Sequence, residues 1–259
     1  KACIPLAPLH NPINLKAISI SQKLWPEIKQ LAVFDTAFHH TIPKRATTYA
    51  VPKKWREAGL RRYGFHGTSH KYIGLRVARE LNRPVTDLKI ISCHLGSGAS
   101  ICAIKRGFSV DTSMGMTPLE GLVMGTRSGD VDPGMFSYLS RELGLTTQDI
   151  EDQLNTNSGL KALAGCSDFR EVEKMASQGD SNAQLAINVF AYRARKYIGA
   201  YAAAMGGVDV LAFTGGIGEN SASMRRRLCD KFEFLGLHID DDKNEAVQLK
   251  GYEAPQIHS

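Results

Sequence analysis

The sequence predicts an α/β fold, because short apolar runs alternate along its 259 residues with longer stretches of helical periodicity. Two of the apolar runs, residues 90–95 and 208–213, each lead into a glycine-rich segment. A chain that leaves a buried strand through Gly-x-Gly can bring backbone N–H groups close to an anion, since no Cβ blocks the approach. Two such segments predict a cradle for a polyphosphate, whereas one alone would more often be a plain turn.

The first glycine-rich segment, Gly96-Ser97-Gly98, is followed by a pattern that predicts a β-hairpin and not a helix. Residues 101–104 and 108–112 are the expected strands, and Lys105-Arg106-Gly107 is the turn between them. Neither glycine-rich segment has the Lys and Ser or Thr of a Walker A loop, and neither completes Gly-x-Gly-x-x-Gly. These features disfavour a P-loop enzyme and a Rossmann dehydrogenase, and they favour one half of an actin-like, ribonuclease-H-like ATPase.

The remaining elements follow from apolar periodicity and from residues that begin or end helices. A short buried strand is predicted at 31–34, ending at Asp35. Thr146 resembles a helix start, and Gly206-Gly207 is expected to end the longest helix. Helices are predicted at 68–82, 118–124, 132–143, 147–154, 168–178, 181–206 and 221–234.

Composition limits the class of protein. With 43% hydrophobic and 22% charged residues, the chain can bury a sizeable core as one large or two unequal domains. No apolar stretch approaches the ~20 residues of a membrane span, and residues 1–20 lack the order of a signal peptide, so the cytoplasm is expected. The net charge is +6, but the basic residues are scattered, which predicts neither a nucleic-acid partner nor a membrane partner. Five cysteines without Cys-x-x-Cys predict neither a disulfide framework nor a zinc knuckle.

Three residues in polar, glycine-flanked segments are candidates for phosphoryl chemistry: Asp35, His66 and Arg127. Catalysis of phosphoryl transfer is mostly positioning and electrostatic stabilisation, for which an arginine and an imidazole beside a phosphate cradle are suited. Asp35 could instead be a turn or cap residue. Arg127 could instead pair with Asp130 or Asp132.

His66 and His70 lie four residues apart and could be metal ligands on one face of a helix. Gly67 and the lack of the acidic residue of His-Glu-x-x-His make hydrogen bonding the favoured role, so no metal ligands are assigned in this chain.

Seven segments carry a close resemblance to one family, in family order over nearly the whole chain. They are residues 6–12, 33–39, 62–70, 93–98, 111–115, 117–130 and 213–220. Among them, Phe-Asp-Thr-Ala-Phe-His and Met-Gly-Thr-Arg-Ser-Gly are specific strings. At these residues the chain resembles the acetate kinase family, the acetokinases that include propionate and butyrate kinases. The resemblance implies reversible phosphoryl transfer between ATP and a short-chain carboxylate, acetate or propionate, on the actin-like ATPase fold.

The resemblance also implies roles for individual residues. His66 and Arg127 would stabilise the transferring phosphoryl group, and Asp35 would be the acidic catalytic residue. The apolar pocket for the methyl end of the acid would be formed by Leu9, Phe65 and Pro118. ATP or ADP would be held by His94, Leu95, Gly96, Ser97, Gly98, Asp168, Phe169, Arg170, Gly216, Ile217, Gly218, Glu219 and Asn220.

The chain also departs from the family pattern. Family members begin with a strand carrying an Asn and with a Ser-rich loop ending in Lys, continue to an arginine that holds the carboxylate, and close with a glutamate that helps hold Mg²⁺. None of these is found here, so the Mg²⁺ ligands are expected outside this chain. Residues 1–36 are expected to be the tail of a first domain, and residues 37–259 the second of two duplicated domains without its last segment. Dimerisation through residues 37–259 is implied, and little or no kinase activity is expected of the chain alone.

Two alternatives remain open. The first is another kinase of the same superfamily, such as a sugar or glycerol kinase, or a chaperone-type ATPase, since the fold alone does not set the acceptor. The second is a piece of a protein that binds nucleotide or dimerises without turnover.

Overall fold

A computed structural model of the chain describes residue 4 and residues 11–247. Its strands are β1 (Lys89–Leu95), β2 (Ala99–Lys105), β3 (Phe108–Thr112) and β4 (Val210–Thr214). They form one sheet in the order β3-β2-β1-β4, in which β1 is antiparallel to β2 and parallel to β4. The predicted strand, glycine-rich segment and hairpin are therefore confirmed, as is the predicted strand that precedes the second glycine-rich segment.

The helices of the described residues fall into three groups along the chain. Before the sheet begins lie α1 (Asn11–Leu24), α2 (Lys44–Thr47), α3 (Lys53–Glu57) and α4 (Gly67–Glu80). Between β3 and β4 lie α5 (Gly134–Leu143), α6 (Thr147–Thr156), α7 (Gly159–Ala164), α8 (Phe169–Ser177) and α9 (Ser181–Met205). After β4 lie α10 (Gly215–Asn220), α11 (Ala222–Cys229) and α12 (Asp241–Ala246).

The sheet lies between two helical layers, because successive residues of β1 face opposite sides. Ile91 and Cys93 belong to the larger core, which they share with the buried face of α9 and with α7 and α8. Ile90 belongs to a smaller core on the opposite face, where it packs with Ala78 of α4. Burial of this large apolar face of α9 stabilises the α/β arrangement, since each buried aliphatic side chain contributes ~1.5–3 kcal/mol.

Both ends of α9 are satisfied by polar groups. Its first turn is capped by Asp180, whose side chain accepts a hydrogen bond from the backbone of Ala183 at 2.8 Å. At its C-terminus the ammonium groups of Lys89 and Lys105 donate to the carbonyls of Gly206 and Met205 at 2.7 and 3.0 Å. The predicted helix start at Thr146 is confirmed too, because Thr146 and Asp149 form a capping box at the N-terminus of α6.

Two of the predicted elements are absent from residues 11–247. Residues 31–34 form no strand, and Leu31 is 85% exposed. No strand of the described residues lies beside this segment, so its backbone lacks the ladder that would stabilise it. Residues 118–124 form turns and bends and not a helix. The Gly121 N–H donates to the Asp130 carboxylate, and the Asp130 N–H donates to the Gly121 carbonyl. These two bonds fold the segment back on itself.

The second glycine-rich segment also differs from prediction, since it is the short helix α10 and not a loop. Its first turn is held by the Glu219 carboxylate, which accepts hydrogen bonds from the Thr214 hydroxyl and the Gly215 N–H. Its last carbonyls are held by the buried guanidinium of Arg225. The predicted helix at 221–234 ends early, at Cys229, and the positive φ of Lys231 is incompatible with its continuation.

In the part of the chain described here, no helix has the length and apolar character needed to cross a membrane. The four cysteines within residues 11–247 are free thiols, and burial raises the pKa of Cys102 to about 12.

Candidate active site

The two glycine-rich segments meet at one edge of the sheet. The parallel register of β1 and β4 pairs His94 with Thr214, so both strands reach their carboxyl ends side by side. Gly215 lies directly against Leu95: a Cβ on Gly215 would come 2.6 Å from the Leu95 carbonyl oxygen. The edge at which parallel strands end is the usual location of ligand sites in open α/β sheets. The two glycine-rich segments therefore lie side by side, as a shared polyphosphate cradle would require.

Gly98 lies at the centre of the candidate site. A Cβ built on this residue would come 2.8 Å from Nη2 of Arg127 and 3.6 Å from Nε2 of His66. A side chain at this position would displace the guanidinium, so glycine is required by close approach. Two of the three candidate catalytic side chains thus converge on the first glycine-rich segment.

Arg127 is a charged side chain without a charged partner. Its Nη1 donates to the carbonyl of Pro118 at 2.7 Å, and no carboxylate of residues 11–247 lies within ion-pair distance of it. Burial lowers its pKa from the ordinary value, but a guanidinium stays protonated at any physiological pH. The alternative pairing with Asp130 is not observed, because Asp130 binds Tyr197 and Arg193 of α9.

The loop that carries Arg127 is fixed on both sides. The Gly125 N–H donates to the carbonyl of Ser97 at 3.0 Å, which joins this loop to the first glycine-rich segment. On the other side, backbone N–H groups of α7 donate to the carbonyls of Met124 and Gly125. Arg127 is therefore presented by a rigid support and not by a mobile loop.

His66, the residue that precedes α4, is positioned by Asp35. The His66 N–H donates to the Asp35 carboxylate at 2.7 Å, and the Gly67 N–H donates to the Asp35 carbonyl at 2.8 Å. His66 itself has a φ of 57°, a left-handed conformation that costs energy for a non-glycine residue and that is frequent at functional sites. Asp35 therefore holds the backbone at the N-terminus of α4 through contacts with residues 66 and 67.

Several imidazoles lie close together around His66. Its ring stacks on that of His94 with a centroid separation of 4.3 Å, and His94 is hydrogen-bonded to the hydroxyl of Ser69 at 2.8 Å. His70 is completely buried between two serine hydroxyls. Among residues 11–247, no group of His, Cys, Asp and Glu is arranged to hold a metal ion. The observed contacts of His70 are its hydrogen bonds to Ser92 and Ser100.

The residues after α7 that were predicted to bind the nucleotide are only partly accessible to a ligand. Asp168 caps α8 and holds the exposed Arg170 through two hydrogen bonds of 3.0 and 2.6 Å, which lower the pKa of Asp168 to about 2. The ring of Phe169 is buried against Phe190 in the larger core, so only its backbone can face a ligand. In α10, by contrast, Gly216 is exposed, and a Cβ there would have open space around it.

Two of the three residues predicted to form the apolar pocket lie among the described residues. Phe65 and Pro118 are both half-buried, and Pro118 is joined to the site through its carbonyl bond to Arg127. The loop that carries Pro118 is anchored by Arg62, which binds Glu120 at 2.5 Å and donates to the carbonyls of residues 112–114. Leu9 lies outside the described residues.

Sequence reasoning missed the serines that surround the histidines. Ser92 and Ser100 are buried in β1 and β2, and both bind His70. Polar residues inside otherwise apolar strands were the available signal, because a buried hydroxyl needs a hydrogen-bond partner.

Comparison with known proteins shows the family of the chain. A family model described as the acetokinase family matches residues 1–254. The acetate kinase of Carboxydothermus hydrogenoformans is 52% identical over 253 residues, which cover 97% of this chain and 63% of the relative. The acetate kinase of Thermoanaerobacter pseudethanolicus is 53% identical, over 95% of this chain and 62% of the relative.

Solved structures give the same result. The acetate kinase of Porphyromonas gingivalis superposes with a TM-score of 0.91 at 50% identity, over 96% of this chain and 63% of that one. A propionate kinase from Francisella tularensis superposes with a TM-score of 0.90 at 48% identity, over 94% and 63%. The actin-like ATPase fold is therefore confirmed, and the chain spans just under two thirds of the length of these relatives. From the family match and the shared fold together, the chain belongs to the acetokinase family.

Proposed function

We propose that this chain provides the nucleotide-binding and phosphoryl-stabilising side of an acetate kinase, which transfers a phosphoryl group reversibly between ATP and acetate or propionate. The observation that carries the proposal is Arg127, a largely buried guanidinium that has no carboxylate partner among residues 11–247 and lies against Gly98 and His66. An uncompensated buried cation costs free energy unless an anion binds beside it. A phosphoryl group is the anion that the surrounding backbone and imidazole suit.

Each of the three candidate residues has a role in this proposal. The fork of Arg127 would bind equatorial oxygens of the transferring group, where negative charge is spread in the transition state. His66 would donate a hydrogen bond to the same group. Asp35 would hold the backbone of His66 and so fix the imidazole over the first glycine-rich segment.

The nucleotide would lie along the edge where β1 and β4 end. Gly98 leaves room for its phosphates beside Arg127, and the open surface at Gly216 is suited to the rest of the nucleotide. Mg²⁺ belongs to the proposed reaction because it neutralises charge on the phosphates when bound. The described residues do not form a ligand set for it, so no role of this chain is derived through the metal.

Three further parts of the proposal rest on the family resemblance. One is a domain boundary near residue 36, supported by α1, which has no buried residue. Another is a homodimer formed through residues 37–259, supported by Leu185 and Tyr192, two large apolar side chains of α9 that are 52% and 63% exposed. The third is a cytoplasmic location.

The proposal is tested in two steps. Calorimetry with ATP and ADP on the purified chain is expected to show binding, and no binding at millimolar nucleotide would contradict the nucleotide site. Turnover is tested in a chimera, in which this chain replaces the matching segment of the C. hydrogenoformans acetate kinase. Hydroxamate trapping should detect acyl phosphate from the folded chimera but not from its Arg127→Ala variant. A folded chimera that binds ATP without forming acyl phosphate would leave only the nucleotide-binding alternative.

A further inference from the structure

A chain of hydrogen bonds runs under α4 from the centre of the sheet to His66. The Nδ1 atom of His70 lies 2.9 Å from the hydroxyl of Ser92, and its Nε2 atom lies 2.8 Å from the hydroxyl of Ser100. The same Ser100 hydroxyl lies 2.9 Å from Nδ1 of His66. Ser92, His70 and Ser100 are all 0% exposed, so water does not take part in these bonds.

The direction of the first bond follows from Ser92. Within residues 11–247, its hydroxyl has one hydrogen-bond partner, the Nδ1 atom of His70. A hydroxyl has a single proton, and a buried donor left unpaired is strongly disfavoured. Ser92 therefore donates to His70, and Nδ1 of His70 is the acceptor.

The remaining directions follow in order. Burial holds the pKa of His70 well below its usual range, so its imidazole is neutral and carries one proton. With Nδ1 accepting, that proton is on Nε2 and is donated to Ser100. The hydroxyl proton of Ser100 then has one remaining acceptor in this chain of bonds, Nδ1 of His66.

We propose that Ser92, His70 and Ser100 are positioning residues that hold neutral His66 in the tautomer with its proton on Nε2. This is the nitrogen that faces Gly98 and Arg127. The hydrogen bonds from Ser92 through His70 and Ser100 to His66, here called the relay, therefore place an N–H donor beside Gly98 and not a lone pair. The use of this donor for a phosphoryl group rests on the proposed function, whereas the tautomer of His66 does not.

Nitrogen NMR of the 259-residue chain, labelled with ¹⁵N in its histidine rings, tests the relay without nucleotide or turnover. Above about pH 7.5, where imidazoles are neutral, long-range ¹H–¹⁵N spectra distinguish a protonated from an unprotonated ring nitrogen. His66 and His70 are both expected to show a protonated Nε2 and an unprotonated Nδ1 with no averaging between them. A proton on Nδ1 of either residue, or averaged shifts at His66, would overturn the proposal.

The decisive variant is Ser92→Ala, because Ser92 does not touch His66. Loss of its hydroxyl removes the bias on His70, and both nitrogen shifts of His66 are expected to move toward their midpoint. Ser92→Thr, which keeps a hydroxyl, should restore the wild-type shifts. Ser109→Ala is the matched control, since it removes an equally buried serine that binds Nδ1 of His39 at 2.8 Å and lies outside the relay.

If His66 keeps its wild-type shifts in Ser92→Ala, the relay does not exist. If Ser109→Ala changes His66 as much as Ser92→Ala does, the effect is a general loss of packing and the proposal is likewise wrong. Both results are independent of ATP binding, so failure of the proposed function remains distinguishable from failure of the relay.

Discussion

The guanidinium of Arg127 combines two properties that seldom occur together in a folded protein. It is partly withdrawn from water, and among residues 11–247 it makes a single hydrogen bond of its own, to the Pro118 carbonyl. Four of the five guanidinium N–H donors are therefore left for a ligand. Because the supporting loop is held by backbone bonds on both sides, those donors are held in a fixed position beside Gly98, where the proposed reaction would develop charge.

Replacement of Arg127 by alanine is expected to act on the transition state more than on nucleotide binding. In the chimera described above, kcat should fall roughly 10²-fold or more, with a smaller rise in the KM for ATP. Arg127→Lys keeps the charge but loses the planar fork, so it should recover only part of the rate. Steady-state kinetics of acyl phosphate formation measure both, and a rate for Arg127→Ala within about threefold of the parent would make the residue structural.

A branched side chain at Gly216 is expected to separate folding from nucleotide binding. The position is exposed, and a Cβ there meets no atom within 4 Å, so Gly216→Val should leave the unfolding midpoint nearly unchanged. The side chain would occupy the space proposed for the nucleotide, and a steric cost of ~1–3 kcal/mol would weaken binding roughly 5- to 150-fold. Calorimetry and thermal unfolding together check this, and unchanged ATP affinity would show that the nucleotide lies elsewhere.

At the scale of elements, the site depends on how the loop at 121–130 is held between α7 and α9. Tyr197 of α9 donates to Asp130 at 2.7 Å. Gly159, the first residue of α7, has a φ of 64° and lies directly under the loop: a Cβ on it would come 2.1 Å from the Met124 carbonyl oxygen and 2.7 Å from that of Arg127. Neither contact involves a ligand. Both hold in place the loop that carries Arg127.

Gly159→Ala is therefore expected to lower the free energy of unfolding by more than the strain of its backbone conformation alone would. A left-handed non-glycine residue costs ~1–2 kcal/mol, and Gly144→Ala, at a φ of 67° with nothing within 4 Å, should show that cost alone. Gly159→Ala adds a collision with two carbonyls and should lower the free energy of unfolding by at least another ~1 kcal/mol. Urea titrations of the two variants measure the difference, and equal losses would contradict the proposed clash.

The elements that could be predicted from sequence are those whose pattern is local. The hairpin of β2 and β3, the capped α6 and the long α9 all follow from periodicity and end signals within their own residues. The failures concern segments whose conformation is set by residues outside the segment itself. The helical form of α10 depends on Arg225 from the following helix, and the loop at 118–124 depends on Asp130.

The same distinction applies within the site. Asp35, His66 and Arg127 could be named because each stands in a specific string, and the structure brings His66 and Arg127 to Gly98. The relay could not be foreseen, because Ser92 and Ser100 are separated from His70 by 22 and 30 residues and meet it only across the sheet.

At the scale of the whole molecule, buried neutral histidines make folding sensitive to acid. Burial lowers the pKa of His39 and of His70, whereas an unfolded histidine titrates near 6.5. Below about pH 6.5 the unfolded chain therefore binds protons that the folded chain does not, and the free energy of unfolding falls as pH decreases. Asp111 opposes this trend, since burial raises its pKa.

Urea unfolding between about pH 7.5 and 5.5 should show this loss, at most ~1.4 kcal/mol per pH unit for each buried histidine. His39→Gln is expected to reduce the slope of stability against pH, because one titrating group is removed. The same substitution at the exposed His238 is the control and should leave the slope as it was. A flat profile in the parent chain would contradict the neutral state of the buried histidines.

The parallel pairing of His94 with Thr214 also restricts which sequence changes the molecule can accept. A strand rises ~3.3 Å per residue, and successive side chains point to opposite faces of the sheet. Deleting one residue within β4 would therefore draw α10 back by that distance and move the strand residues on one side of the deletion to the opposite face. The two glycine-rich segments would then no longer lie side by side at the edge where β1 and β4 end. Insertions and deletions in this family should accordingly accumulate in surface turns such as the one at Gly144, and the length of β4 should be held constant.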